Sequence, residues 1–170
     1  MITVAMSAVL PIKHRVEELL DESNVRCHAV ASSRKRVLQF IAELVADEQL
    51  NADVIFDGLM ARERLGSTGL GEGVAIPHCR ISCEHIRVAF VSLPEPIDYE
   101  ASDGEPVDLL FVLVVPHEEQ SAHLEALAAL AEVFSDAANR ADLRAAHNDA
   151  ELWQTIYQQL ANQVADSKTA

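Results

Sequence analysis

Residues 109–115 read Leu109-Leu110-Phe111-Val112-Leu113-Val114-Val115, and Pro116 follows. A sheet with one wet face alternates apolar and polar residues; this run does not alternate. It therefore reads as a central strand covered on both faces. Such a strand needs a layer of helices above it and another below, and the flanking sequence supplies both. Upstream, Val37, Leu38, Ile41, Leu44 and Val45 fall on one helical face, with Ser32 or Ser33 as the cap. Asn51 opens a second helix carrying Val54, Ile55, Leu59 and Met60, which Gly66 ends. Downstream, Ser121 caps a third helix, with Leu124, Leu127, Ala128, Ala131 and Phe134 inward. A short helix spans 140–146, and Asp149 caps the last one, where Leu152, Ile156 and Leu160 stack.

Shorter strands complete the sheet. Val25 to Val30 is one, Val74-Ala75-Ile76 a second that Pro77 stops, and Arg87 to Leu93 a third; Pro94, Pro96 and Asp103-Gly104 mark turns. Val16 to Leu20 forms a helical turn. The expected fold is a single α/β domain, a mixed β-sheet flanked by helices on both faces. Residues 1–15 read as an N-terminal extension, 16–162 as the domain and 163–170 as a flexible tail.

Bulk composition narrows the function. The 170 residues include 27 Asp+Glu against 13 Lys+Arg, a formal net charge of -14. A field of that sign repels nucleic acid and anionic lipid, so neither is an expected partner. The cysteines are Cys27, Cys79 and Cys83, an odd number without scaffold spacing, which points to a reducing, cytoplasmic setting. Met1 to Leu10 lacks the basic start and cleavage site of a signal peptide, and no apolar run approaches the roughly 18 residues of a spanning helix. Direct membrane insertion is not expected.

Three features carry chemistry. Four of the 6 glycines fall at 66, 69, 71 and 73. That density reads as a loop, either a tight turn or a cradle of backbone N–H groups for an anion. The spacing matches neither the nucleotide phosphate loop nor the dinucleotide fingerprint. His78 follows Ile76-Pro77, which holds its imidazole at a strand end, where α/β domains expose reactive groups. His123 lies near a helix N-terminus, whose dipole disfavours imidazolium. Each histidine also has a plain reading as a solvated or capping residue. A rival reading takes His78, Cys79, Cys83 and His85 as zinc ligands, though four ligands this close on an extended path diverge. The acid pairs Glu17-Glu18 and Glu118-Glu119 read as solvated faces.

Taken together, residues 62–78, Arg-Glu-Arg-Leu-Gly-Ser-Thr-Gly-Leu-Gly-Glu-Gly-Val-Ala-Ile-Pro-His, closely resemble the signature of the enzyme IIA proteins of the fructose/mannitol/nitrogen class. These belong to the bacterial phosphoenolpyruvate-dependent phosphotransferase system. Pro106-Val107-Asp108-Leu109-Leu110-Phe111, Pro116 and His123-Leu124 extend the resemblance. It implies that His78 accepts a phosphoryl group at Nε2 from an HPr-like phosphohistidine carrier. Arg62 matches the family's active-site arginine and His123 its second histidine, while Ser67, Thr68 and Gly69 match a phosphate-binding turn. No metal or cofactor is implied. The turn and Ala-Ile-Pro-His are most similar to the nitrogen branch. That branch implies a regulator whose phosphorylation governs binding to potassium-transport, nitrogen-response or sensor-kinase components. The alternative is a IIA component feeding a fructose- or mannitol-type sugar permease. One departure is Cys79, then Arg80, where the family often has glycine after the histidine; a side chain there would narrow carrier access.

Phosphoryl transfer between imidazoles passes through a loose, metaphosphate-like state. It asks for an in-line neutral imidazole and for donors around the equatorial oxygens, which Arg62, His123 and the glycine turn can offer.

Overall fold

The apolar run at 109–115 lies at the centre of a six-stranded sheet. The computed structural model describes residues 16–169 apart from 17 and 119, and omits the side chains of 120–122 and 164–169. The N-terminal extension and the side chain of Ser121 therefore lie outside the described residues. In chain order the elements are β1 (Val25–Arg26), α1 (Arg34–Val45), α2 (Ala52–Arg64), β2 (Gly69–Gly71), β3 (Val74–Ala75) and β4 (His78–Ile81). Then come β5 (Arg87–Ile97), β6 (Val107–Pro116), α3 (Gln120–Ser135), α4 (Ala137–Ala145) and α5 (Asp149–Thr169). The sheet order is β1-β5-β6-β3-β2, and β4 also pairs with β6.

Residue alternation on β6 sorts the core into two layers. Leu109, Phe111, Leu113 and Val115 pack with Leu130, Val133, Phe134, Leu143, Leu152 and Ile156 from α3, α4 and α5. Leu110, Val112 and Val114 pack with Val37, Leu38, Ile41, Ile55 and Leu59 from α1 and α2. Each fully buried side chain of this kind contributes about 1.5–3 kcal/mol. The expected mixed sheet between two helical layers is what the chain forms.

Several local readings change. Pro77 interrupts a strand but does not end it. Strand β3 pairs Val74 with Leu109 and Ala75 with Leu110; β4 resumes along the same edge of β6, with His78 opposite Leu113 and the register unchanged. Proline has no N–H to give the ladder, yet its carbonyl still accepts the Leu113 N–H at 3.0 Å. His78 thus opens a strand instead of following one. The glycine stretch is not all loop: β2 pairs antiparallel with β3 across a turn at Glu72-Gly73, both with positive φ (59° and 83°). Strand β5 runs on through Pro94 and Pro96, tolerated because the ladder to β6 is broken between Ser92 and Ile97. Strand β1 stops at Arg26, short of Val30, as His28 takes a φ of 56°.

Among the helices, Ser33 caps α1 and Asn51 caps α2. The inward face of α3 is Ala126, Ala129, Leu130, Val133 and Phe134; Ala128 is exposed and Leu124 is 67% exposed. Asp136 caps α4 ahead of the expected start. Asn148 caps α5 by accepting the Glu151 N–H at 2.9 Å, while Asp149 accepts the Cys27 N–H at 2.7 Å and ties β1 to the helix. Helix α5 continues to Thr169, through the residues read as a tail.

Gly58 sets how closely α2 lies on β4. A Cβ there would sit 3.1 Å from Cys79 Sγ and 3.1 Å from Ile81 Cγ2. Gly58→Val is expected to destabilise the fold by about 1–3 kcal/mol through overpacking, read as a lower urea midpoint at unchanged slope. An unchanged midpoint would mean that the helix lifts off at no cost.

Candidate active site

The close seat of α2 brings its last turn over the start of β4. Arg62, one turn beyond Gly58, donates from Nε to His78 Nε2 at 3.2 Å, and its Nη1 donates to the Gly66 carbonyl at 2.8 Å. His78 Nδ1 lies 2.8 Å from the Ile76 carbonyl oxygen. A carbonyl only accepts, so Nδ1 carries the proton and Nε2 presents its lone pair. The Arg62 contact requires the same tautomer. His123, in the first turn of α3, packs against the His78 ring with centroids 5.0 Å apart and planes at 55°. Its Nδ1 is buried with no hydrogen-bond partner, a polar group left unpaired beside the His78 ring.

Electrostatics keep both rings neutral at pH 7. Burial, more than any other cause, lowers the His78 pKa; the Ile76 bond opposes it, the Arg62 charge adds to it and the Glu63 charge opposes it. His123 is pushed down to about 4, first by burial and then by His78, Arg80 and Arg62. A neutral imidazole with a fixed tautomer is a nucleophile at nitrogen once its lone pair is released, here from the Arg62 Nε–H. Arg62 supplies a permanent charge that fits phosphoryl oxygens.

The expected phosphate turn is engaged with the protein itself. The Thr68 hydroxyl bonds Glu63, and its N–H donates to the same carboxylate at 3.2 Å. Ser67 Oγ donates to the Tyr99 carbonyl at 3.0 Å and accepts the Gly69 N–H at 3.1 Å. So Arg62, His78 and His123 converge, whereas Ser67, Thr68 and Gly69 hold the turn beside them. Cys79 turns away from His78, into the layer of α1 and α2, and burial pushes its thiol up to about 12. It does not narrow the approach to the imidazole. Among the described residues, no group of three or more His, Cys, Asp or Glu side chains is gathered as for a metal, so the zinc ligands proposed from spacing do not assemble.

Glu63, Tyr99 and Arg34 were not singled out from the sequence. Glu63 is 3% exposed and accepts from Tyr99 Oη at 2.8 Å; Arg34 Nη1 lies 3.6 Å away, and its guanidinium stacks 5.7 Å over the Tyr99 ring. A signal existed: Ile55, Leu59 and Glu63 repeat every four residues, so a carboxylate lies on the buried stripe of α2. Leu65 at the end of α2, Leu124 next to His123 and Leu70 on β2 are exposed at 84%, 67% and 49%. No helix among the described residues is long and apolar enough to cross a membrane.

Comparison with known proteins points the same way. The family model for the phosphoenolpyruvate-dependent sugar phosphotransferase system, EIIA 2, matches residues 18–159. A nitrogen regulatory protein of Pseudomonas aeruginosa is 45% identical over 145 residues, covering 84% of this chain and 94% of that protein. The nitrogen regulatory protein of Escherichia coli is 39% identical over 145 residues, 84% of this chain and 89% of that one. Among solved structures, nitrogen regulatory protein IIA-Ntr from Neisseria meningitidis aligns with a TM-score of 0.80 at 36% identity, over 86% of this chain and 99% of its own. IIA mannitol from Escherichia coli has a TM-score of 0.68 at 18% identity, over 83% and 98%, a likeness of fold alone.

Proposed function

This chain belongs to the EIIA 2 family of the phosphoenolpyruvate-dependent sugar phosphotransferase system, whose members are phosphotransfer proteins, and from that premise we propose that it accepts a phosphoryl group on His78 Nε2. The observation that carries the reading is the tautomer: Nδ1–H donates to Ile76, so the lone pair is on Nε2, between Arg62 and His123. The donor is an HPr-like phosphohistidine carrier. Its P–N bond breaks as the Nε2–P bond forms, and the leaving imidazole keeps the electron pair. The carrier ring, protonated on its other nitrogen, leaves as neutral imidazole, and His78 keeps its Nδ1 proton as a phosphoimidazolium, so the Ile76 bond survives the transfer. Arg62 leaves the Nε2 lone pair and takes the phosphoryl oxygens, joined by an N–H of His123.

Likeness to nitrogen regulatory proteins supports a regulatory use of that phosphate. Phosphorylation adds about -1.5 to -2 charges at one point. With Leu124 exposed beside His123 in the chain, that charge opposes any partner that covers His78 with apolar side chains. Potassium-transport and sensor-kinase components are the target class we favour.

The test is incubation with phosphoenolpyruvate, enzyme I and the phosphocarrier. The expected product gains one acid-labile phosphoryl group, by intact mass. The transfer rate is flat between pH 7 and 8, because the His78 pKa lies below its ordinary value of about 6.5. It falls about tenfold per pH unit once pH drops below the His78 pKa, as imidazolium has no lone pair to offer. No mass gain, with a control IIA protein phosphorylated in the same mixture, overturns the reading.

A further inference from the structure

We propose that Glu63 is a positioning residue for phosphoryl transfer: its buried carboxylate, held by Tyr99 and Thr68, fixes the turn whose Gly66 carbonyl aims Arg62 at His78 Nε2. The inference rests on the reading of His78 as acceptor and deepens it. Burying a carboxylate costs several kcal/mol unless donors surround it, and an apolar replacement of the same volume often leaves a fold as stable or more so. Glu63 has a full set of donors: Thr68 N–H and hydroxyl, Tyr99 hydroxyl, and the Arg34 guanidinium. What these bonds hold together is the turn at 65–68. The Glu63 backbone carbonyl takes the Gly66 N–H at 3.0 Å, while its side chain takes the Thr68 N–H at 3.2 Å. One residue therefore clamps both sides of Gly66. The Gly66 carbonyl, so fixed, accepts Arg62 Nη1 at 2.8 Å and leaves Nε to face the imidazole at 3.2 Å. Freed from that clamp, a long guanidinium side chain samples many rotamers and meets the incoming phosphoryl group in few of them. The Glu63 charge also acts directly on His78, opposing the effect of Arg62. Tyr99 reaches the carboxylate from the segment that leads into β6, and Arg34 from the first turn of α1, so three parts of the chain meet at one acceptor.

Two variants separate positioning from folding. Tyr99→Phe removes one hydroxyl and keeps the ring under Arg34; Glu63→Gln keeps the shape and removes the charge. Each is expected to lower the maximal transfer rate about tenfold while the carrier concentration at half-maximal rate moves less than twofold, the pattern of a group that acts in the transition state and not in docking. Nitrogen-15 NMR without any phosphoryl donor reads the geometry directly. In the wild type the Arg62 Nε–H is sharp and bonded to His78; in Glu63→Gln it is exchange-broadened, and the His78 pKa falls further. A rate loss that merely tracks a fall in thermal midpoint, or an unchanged Arg62 signal, overturns the proposal. A wild type that takes no phosphate removes the acceptor reading instead, and the NMR arm then decides whether Glu63 positions Arg62.

Discussion

Arg62→Ala slows phosphoryl transfer from the carrier by about 10²–10³-fold, the loss typical for one aimed donor at a developing charge, and at the same time raises the reactivity of His78 toward diethyl pyrocarbonate. The opposite signs follow from one geometry. In the resting protein Arg62 Nε donates to His78 Nε2, so it covers the same lone pair that must attack phosphorus. A small electrophile offers the guanidinium nothing in exchange and reacts only while that bond is open. A phosphoryl group offers charged oxygens, to which Arg62 transfers its bonds as the lone pair is released. Removal of the side chain uncovers the imidazole, and with it goes a cation that lowers the His78 pKa. Uncovering favours the small electrophile at any pH, and the raised pKa makes the neutral ring a stronger nucleophile at pH 8, where imidazolium is a minor form. The same removal strips the transition state of its permanent charge. The two rates are measured side by side, by quenched-flow mass analysis with the carrier and by absorbance of the carbethoxylated imidazole. If both rates fall together, the contact is not a cover over the lone pair and Arg62 acts only by holding the fold.

The sequence announced the sheet because Leu109 to Val115 has no polar position, and only a strand between two layers tolerates that. It singled out His78 and Arg62 because the family signature runs unbroken through both, and the structure brings the two side chains to 3.2 Å. Other features were silent for physical reasons. Pro77 is a good strand breaker in isolation, and nothing local says that β6 presents the same edge on both sides of it in constant register. Pro94 and Pro96 read as turns because the irregular pairing that admits them belongs to the partner strand. The inward face of α3 was misjudged at Leu124 and Ala128: small alanines on every side blur the stripe, and tertiary packing chose Ala126 and Ala129. The resemblance implies that the turn at 67–69 meets phosphate; it says nothing of what else that turn holds. That both Thr68 donors face a carboxylate five residues back depends on Glu63 being buried, which only the periodicity of α2 hints at.

His78→Ala abolishes phosphorylation, and His123 does not take its place. His123 is also neutral at pH 7 and has a buried, unpartnered Nδ1, so protonation alone would allow it to attack. What it lacks is the pair of contacts that gives His78 its direction: a carbonyl that fixes one nitrogen as the donor, and a guanidinium at the other. Without a fixed tautomer and an aimed cation, in-line approach to the carrier's phosphoryl group is a rare event, and effective molarities of 10⁵ or more are lost with the alignment. The substitution itself is mild for the fold. His78 is half-buried, and the loss of its Ile76 bond costs about 1 kcal/mol. The variant is therefore expected to remain folded and permanently unphosphorylated, which makes it the sharper probe of the regulatory reading. With a target that docks over His78, wild type loses binding when phosphoenolpyruvate, enzyme I and carrier are added, while His78→Ala binds equally with and without them. Isothermal titration in the two mixtures reads this directly. If wild type and variant lose binding alike, the charge on His78 is not the signal, and the phosphoryl group then serves onward transfer instead of partner choice.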